Sequence, residues 1–167
     1  MQFDISFLDK TEIHEVQDFI NKEWVKNQIK VRKLEKNFHL IGKYEIYDMP
    51  DLYSNADALL ISLKKSKIFS LTIPAKIQSY LACGKPILSM MDGEGSRIIN
   101  ESKSGFTAPA EDPMMLSKNI KRMIDMTKKE LSIFGFNGRK YYQKNFERKI
   151  LIKKVEDIFS KLNKINK

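Results

Sequence analysis

The stretch that decides the fold runs Ile73-Pro74-Ala75-Lys76-Ile77-Gln78-Ser79-Tyr80-Leu81-Ala82-Cys83-Gly84-Lys85-Pro86. Pro74 sits where a helix begins, since its missing N–H costs nothing there. Gly84 stands where the helix stops, and Lys85-Pro86 prevents its continuation. Apolar runs flank the helix on both sides: Ala58 to Leu63 before it and Pro86 to Met90 after it. Short, continuous apolar runs are the pattern of strands buried on both faces. A strand, a helix and a second strand in this order predict a parallel pair with a crossover helix.

Outward from this unit the alternation continues. Gly105 to Ala108 reads as another short strand, and Phe38 to Ile41 as one ending at Gly42. Phe3 to Leu8 alternates like a strand, and residues 11–35 have helical spacing through Ile13, Val16, Ile20 and Trp24. Asp48 and Pro50 open a short helix with Leu52 and Tyr53. Residues 64–68 read as a lysine-rich loop. Asp92-Gly93-Glu94-Gly95-Ser96 reads as a glycine loop leading into a helix with Ile98 and Ile99. Asp112-Pro113 marks a helix carrying Leu116, Ile120 and Ile124. Residues 129–144 look helical with interruptions near Gly135 and Gly138, and a last helix carries Leu151, Val155, Ile158, Phe159 and Leu162. The expected architecture is an α/β, Rossmann-like parallel sheet with helices on both faces, ending in helices. One domain over 1–167 is expected, with an α/β core at 1–110 and a helical part at 111–167.

Composition narrows the classes. Charged residues make up 31% of the 167 and hydrophobic ones 42%, a globular balance. No apolar run approaches the length of a membrane span, and the N-terminus lacks a secretory pattern, so a cytoplasmic location is expected. The single Cys83 rules out an internal disulfide and a cysteine-rich zinc site. The net charge of +9 fits a solvated basic surface or peripheral contact with an anionic membrane at its inner face. No basic-aromatic motif of a nucleic-acid-binding module is present. No cofactor and no metal are expected: His14 reads as a surface residue, His39 as a structural one in a strand, and neither has carboxylate neighbours at ligand spacing.

In a parallel sheet the loops after the strands carry the ligand. Here these are Gly42-Lys43-Tyr44, the segment from Ser70 to Lys76, and the Gly93-to-Arg97 loop. The helix at Pro74 offers unpaired first-turn N–H groups and a favourable dipole to an anion. Thr72 can add a hydroxyl, Lys76 a cation, and Ser79 lies one turn further on the same face. The same features suit a capped core helix with a solvent lysine. Gly93 and Gly95 permit close backbone approach, Glu94 can accept from sugar hydroxyls and Arg97 can pair with phosphate. They also suit a tight turn.

Taken together, the segments resemble the retaining GT-B glycosyltransferases of the glycosyl transferases group 1 family, in the bacterial surface-polysaccharide type. Phe38-His39-Leu40-Ile41-Gly42-Lys43 and Met49-Pro50-Asp51-Leu52-Tyr53-Ser54-Asn55-Ala56-Asp57 resemble one conserved stretch of that family. Residues 73–86 resemble its donor-binding helix, and Gly93 to Arg97 with Ser104-Gly105-Phe106-Thr107-Ala108-Pro109 the loop and strand that follow. The resemblance implies the C-terminal, donor-binding half of a GT-B fold. It implies a nucleotide diphosphate sugar, UDP-linked and often an amino or deoxy sugar, as substrate. Transfer would be of hexosyl or N-acetylhexosaminyl type, to a glycan or lipid-linked acceptor in lipopolysaccharide or capsule biosynthesis. Gly42, Lys43 and Tyr44 would lie near the base. Ser70, Leu71 and Thr72 would face the diphosphate, Ser79 the ribose, and Gly93 to Ser96 the sugar or phosphate.

Two departures stand out. The family's pair of glutamates separated by seven residues would fall near Leu71 and on Ser79, and neither is acidic; Glu94 is a candidate substitute. Against the family's length, the 167 residues are expected to correspond to the donor-binding half alone. The chain is therefore expected to bind a nucleotide but to transfer poorly without an N-terminal acceptor-binding domain or subunit. A nucleotide-sugar-binding module or a split-enzyme subunit without transfer of its own is the alternative. An epimerase of similar architecture lacks its carboxylates and histidines here, and a receiver domain lacks its acidic cluster.

Overall fold

A computed structural model describes residues 22–40 and 44–165. Among these residues three strands form one parallel sheet in the order β1-β2-β3: β1 (Leu59–Ser62), β2 (Ile87–Met90) and β3 (Gly105–Ala108). The register pairs Leu59 with Ile87 and Ile87 with Gly105, and at the other end Ser62 with Met90 and Met90 with Ala108. The helices in chain order are α1 (Lys22–Val31), α2 (Met49–Ser54), α3 (Lys67–Leu71), α4 (Ala75–Cys83), α5 (Glu94–Ser102), α6 (Pro113–Ile124), α7 (Lys128–Asn145) and α8 (Arg148–Ile165).

Strand side chains alternate between two apolar clusters, so both faces of the sheet are covered. On one face Leu59, Ile61 and Ile87 pack with Tyr53 of α2, Ile77, Tyr80 and Leu81 of α4, and Ile98 and Ile99 of α5. Tyr53 and Tyr80 meet edge to face at 5.2 Å. Burial raises the Tyr53 phenol pKa, with a smaller contribution from Cys83. On the other face Ala58 and Leu88 pack with Met123, Leu116 and Ile120 of α6. Phe106 meets Phe134 edge to face at 5.2 Å and carries the Arg122 guanidinium over its ring at 4.1 Å. Helix α7 joins both clusters, through Leu131 and Phe134 on one side and Tyr141 and Tyr142 on the other.

The helix punctuation read from the sequence holds at most ends. Gly84 ends α4 in the left-handed region at φ 70°, its N–H donating to the carbonyls of Tyr80 and Leu81. Asp112 caps α6 by accepting from the Met115 N–H at 2.9 Å; a capping box of Thr127 and Glu130, which the sequence reading did not include, opens α7. Cys83 packs partly buried at the end of α4.

Elsewhere the structure corrects the reading. Phe38 to Leu40 is irregular and His39 exposed, so no strand orders it; Ile41 lies outside the described residues, as do Phe3–Leu8 and His14. Of the helix expected over 11–35, the described part is α1 alone. The expected loop at 64–68 contains the start of α3. Asp48 precedes α2 without a side-chain cap bond. Helix α7 is continuous through Gly135 and Gly138. Those glycines are packing positions: a Cβ on Gly135 would stand 2.0 Å from the Gly84 carbonyl oxygen, and one on Gly138 3.2 Å from Leu81 Cδ2. They bring α7 against α4, which more than offsets the modest helix penalty of glycine.

Candidate functional site

Because the strands are parallel, the chain leaves β1, β2 and β3 at the same edge. Two cross-links tie the three exits together. The Lys65 N–H donates to Glu111 Oε1 at 3.2 Å, joining the β1 and β3 exits. The Ala110 N–H donates to Asp92 Oδ1 at 3.0 Å, joining β3 to β2. Neither acceptor was singled out from the sequence. Their partners lie 46 and 18 residues away in the chain, so local pattern gives no signal for them.

At this edge the end of α3, the start of α4 and the start of α5 meet. Gly93 precedes α5 with φ 81°, a backbone state that favours glycine. Its Cα faces the last turn of α3: a Cβ there would lie 1.9 Å from the Ser70 carbonyl oxygen. Gly95 is buried, and its Cβ would lie 2.5 Å from Met91 Sδ, 2.9 Å from Ile77 Cδ1 and 3.4 Å from Pro74 Cδ. Both glycines thus serve close contact between protein segments, and Glu94, Gly95 and Ser96 form the first turn of α5 instead of a loop.

The polar side chains divide into engaged and outward-facing ones. Ser96 Oγ donates to the Met91 carbonyl at 2.5 Å and so holds the turn. Ser70 Oγ donates to the Lys67 carbonyl at 2.8 Å, and Thr72 Oγ1 to the Phe69 carbonyl at 3.3 Å. Thr72 therefore closes α3, and Pro74 precedes α4 without a side-chain cap. In the first turn of α4 the Ile77 N–H donates to the Pro74 carbonyl at 3.0 Å. Lys76 lies in that turn, partly buried, and burial lowers its pKa to about 8. Ser79 is exposed one turn on, donating to the Ala75 carbonyl at 3.5 Å. Leu71 is 70% exposed beside this helix start, and Ile68 72%.

Glu94 and Arg97 pair with each other. Arg97 Nε donates to Glu94 Oε1 at 3.1 Å and Oε2 at 2.9 Å, and Arg97 Nη1 to Glu101. The Glu94 bond is the main cause of a raised Arg97 pKa. Tyr141 lies beside them, its phenol pushed up first by burial and then by Glu101. Tyr44 is 42% exposed before α2, and Gly42 and Lys43 lie outside the described residues. The structure thus brings together Ser70, Leu71, Thr72, Lys76 and Gly93 to Ser96. Among the described residues no cluster of histidine, cysteine or carboxylate groups could hold a metal ion, and no helix is long and apolar enough to cross a membrane.

Similarity to known proteins agrees with this geometry. Residues 16–126 match the family described as Glycosyl transferases group 1. The probable glycosyltransferase WbjE of Pseudomonas aeruginosa is 33% identical over 100 residues, which is 59% of this chain and 24% of that protein. The fold matches sucrose-phosphate synthase from Thermosynechococcus elongatus with TM-score 0.73 at 16% identity, over 86% of this chain and 35% of that one. It also matches Anabaena HepE, solved in complex with UDP and with UDP-glucose, each with TM-score 0.71 at 17% and 18% identity. Those alignments cover 89% and 87% of this chain, and 38% and 39% of HepE. The chain accordingly spans about a quarter of the curated relative and over a third of the solved ones, and its α/β fold is that of GT-B glycosyltransferases. More than half of the chain lies within the match, and it belongs to the glycosyl transferases group 1 family.

Proposed function

We propose that the chain is the C-terminal, donor-binding half of a glycosyltransferase and holds a nucleotide diphosphate sugar, UDP-linked, at the carboxyl edge of its sheet. The observation that carries this reading is the junction of α3, α4 and α5 around Gly93, with Lys76 in the first turn of α4. A helix start free of a side-chain cap, with a lysine in its first turn, is suited to the negative charge of a diphosphate. As the bond from sugar carbon to phosphate oxygen breaks, charge grows on the departing diphosphate. The Lys76 ammonium and the helix dipole stabilise that charge. Support for UDP comes from HepE, a fold relative solved with UDP and UDP-glucose.

On this reading Ser79 meets the ribose and Tyr44, with Gly42 and Lys43, the base. Glu94 meets the sugar by exchanging Arg97 for hydroxyl groups. The transferred group is a hexosyl or N-acetylhexosaminyl unit, and the acceptor is a glycan or lipid-linked glycan of a surface polysaccharide, supplied by an N-terminal domain or subunit. A second reading, a nucleotide-sugar-binding module without transfer of its own, is favoured by Leu71 and Ser79 standing where the resembled family has glutamates. Thermal-shift measurements with UDP, GDP and several UDP-sugars test the proposal. Stabilisation by uridine diphosphates above GDP is expected; no shift with any nucleotide would overturn it. Sugar transfer on adding the acceptor-binding half separates the two readings.

A further inference from the structure

The sheet's ladder ends where the Leu63 N–H donates to the Met90 carbonyl and the Met91 N–H to the Ala108 carbonyl, both at 3.0 Å. Beyond these bonds the chain turns away towards α3, α5 and α6. Three contacts then close a ring across the exits. The Lys65 N–H donates to Glu111, the Ala110 N–H donates to Asp92, and Gly93, next to Asp92, lies against the Ser70 carbonyl. Helix α3 is thus held before its start by Glu111 and at its end by Gly93, and it leads through Thr72 into the start of α4.

Glu111 takes its place in the ring against its backbone preference. It is the third residue of the turn from Pro109 to Asp112, closed by the Asp112 N–H on the Pro109 carbonyl at 3.2 Å, and its φ is 63°. Glycine fills such a position without crowding a Cβ. What glutamate adds is a carboxylate, and here the carboxylate reaches a backbone N–H 46 residues away. Strain observed in this way is a reason to look for a role beyond turning the chain.

We propose that Glu111 is a positioning residue for the nucleotide. Acting through Lys65, and with Asp92 holding the same turn, it keeps the segment from Lys65 to Lys76 seated on the glycine turn. The start of α4 and Lys76 then meet the diphosphate as a preformed surface, and binding does not have to order them. This role rests on the donor-site reading above.

The test compares the unaltered chain with Glu111→Gly, Glu111→Gln and Lys103→Gly. Lys103 ends α5 at φ 50°, at the entry of β3 and so at the opposite edge of the sheet. Glycine there relieves the same kind of strain away from the ring. Three quantities are read: denaturant stability, UDP affinity, and hydrogen exchange of the Ser70 and Thr72 amides without ligand. Those amides donate to the Ser66 and Phe69 carbonyls. Glu111→Gly should be at least as stable as the unaltered chain, yet exchange about five-fold faster at both amides and bind UDP about five-fold more weakly, the loss of one hydrogen bond to a charged group. Glu111→Gln keeps an acceptor oxygen and should stay within about two-fold in exchange and affinity, as should Lys103→Gly. A turn-forming role alone predicts that Glu111→Gly gains stability and binds UDP unchanged, and that result would overturn the proposal. So would unchanged exchange in Glu111→Gly, or a loss in Lys103→Gly equal to that in Glu111→Gly. Absence of UDP binding by the unaltered chain would overturn the proposed function and this role with it, whereas unchanged exchange beside normal UDP binding would overturn this role alone.

Discussion

Gly93 lies so close to Ser70 that a Cβ on the glycine would stand 1.9 Å from the serine's carbonyl oxygen. This contact seats the end of α3 on the start of α5 at the edge where the strands exit. Gly93→Ala must move main chain and also occupy φ 81°. It should destabilise the fold by about 2–4 kcal/mol and weaken UDP binding even in molecules that remain folded. Denaturant titration together with affinity measured on the folded fraction checks both parts.

Gly135→Ala provides the contrast. Its Cβ would meet the Gly84 carbonyl oxygen at 2.0 Å, between α7 and α4 and away from the strand exits. A loss of about 2–4 kcal/mol is again expected, but UDP affinity of the folded protein should be unchanged.

Ser89 is fully buried on β2, and its hydroxyl has no hydrogen-bond partner among the described residues. Ser89→Ala removes a desolvated donor at little cost in volume. Stability should rise by about 1 kcal/mol, read as a higher denaturation midpoint with an unchanged slope.

Lys76 carries the pH dependence. Burial lowers its pKa from 10.5 to about 8, so the folded state releases its proton earlier than the unfolded chain. Between pH 8 and 10.5 the unfolded state binds more protons, and this residue's contribution to stability therefore rises with pH across that window. A bound diphosphate favours the ammonium and acts in the opposite sense. UDP affinity should fall as pH rises through about 8, with proton uptake on binding near that pH. Calorimetry in buffers of different ionisation enthalpy measures the uptake, and Lys76→Met should abolish it.

The exposed Glu94–Arg97 pair yields a test of sugar recognition. Glu94→Gln should leave UDP affinity within about two-fold and lower UDP-sugar affinity several-fold, since a neutral amide accepts a weaker bond than a carboxylate. Equal loss for UDP and UDP-sugar, or no loss for either, would remove Glu94 from the sugar's contacts.

The elements legible in the sequence are those whose ends have local chemistry. Gly84 before Lys85-Pro86, Asp112-Pro113, and the apolar runs of β1 and β2 each declare themselves within a few residues. The misread elements depend on distant partners. Gly135 and Gly138 look like helix breaks until α4 is placed against them. Glu94 to Ser96 look like part of a loop until the first turn of α5 is seen, with Ser70, Met91 and Ile77 packed against Gly93 and Gly95. Helix α3 is five residues in a lysine-rich stretch, below the length at which periodicity can be recognised. That the exits of β1, β2 and β3 share an edge was legible, because strand-helix alternation predicts parallel strands. The pairing of Glu94 with Arg97, and the ties from Asp92 and Glu111 across the strand exits, required coordinates.

The most direct measurement is calorimetric titration of UDP into the chain, into Lys76→Met and into Lys121→Met, the last a lysine exposed on α6. The account predicts saturable one-site binding to the chain and to Lys121→Met, and affinity lower by about ten-fold or more in Lys76→Met, the loss of one hydrogen bond to a charged group. No binding to the unaltered chain, or equal affinity for Lys76→Met, would contradict it.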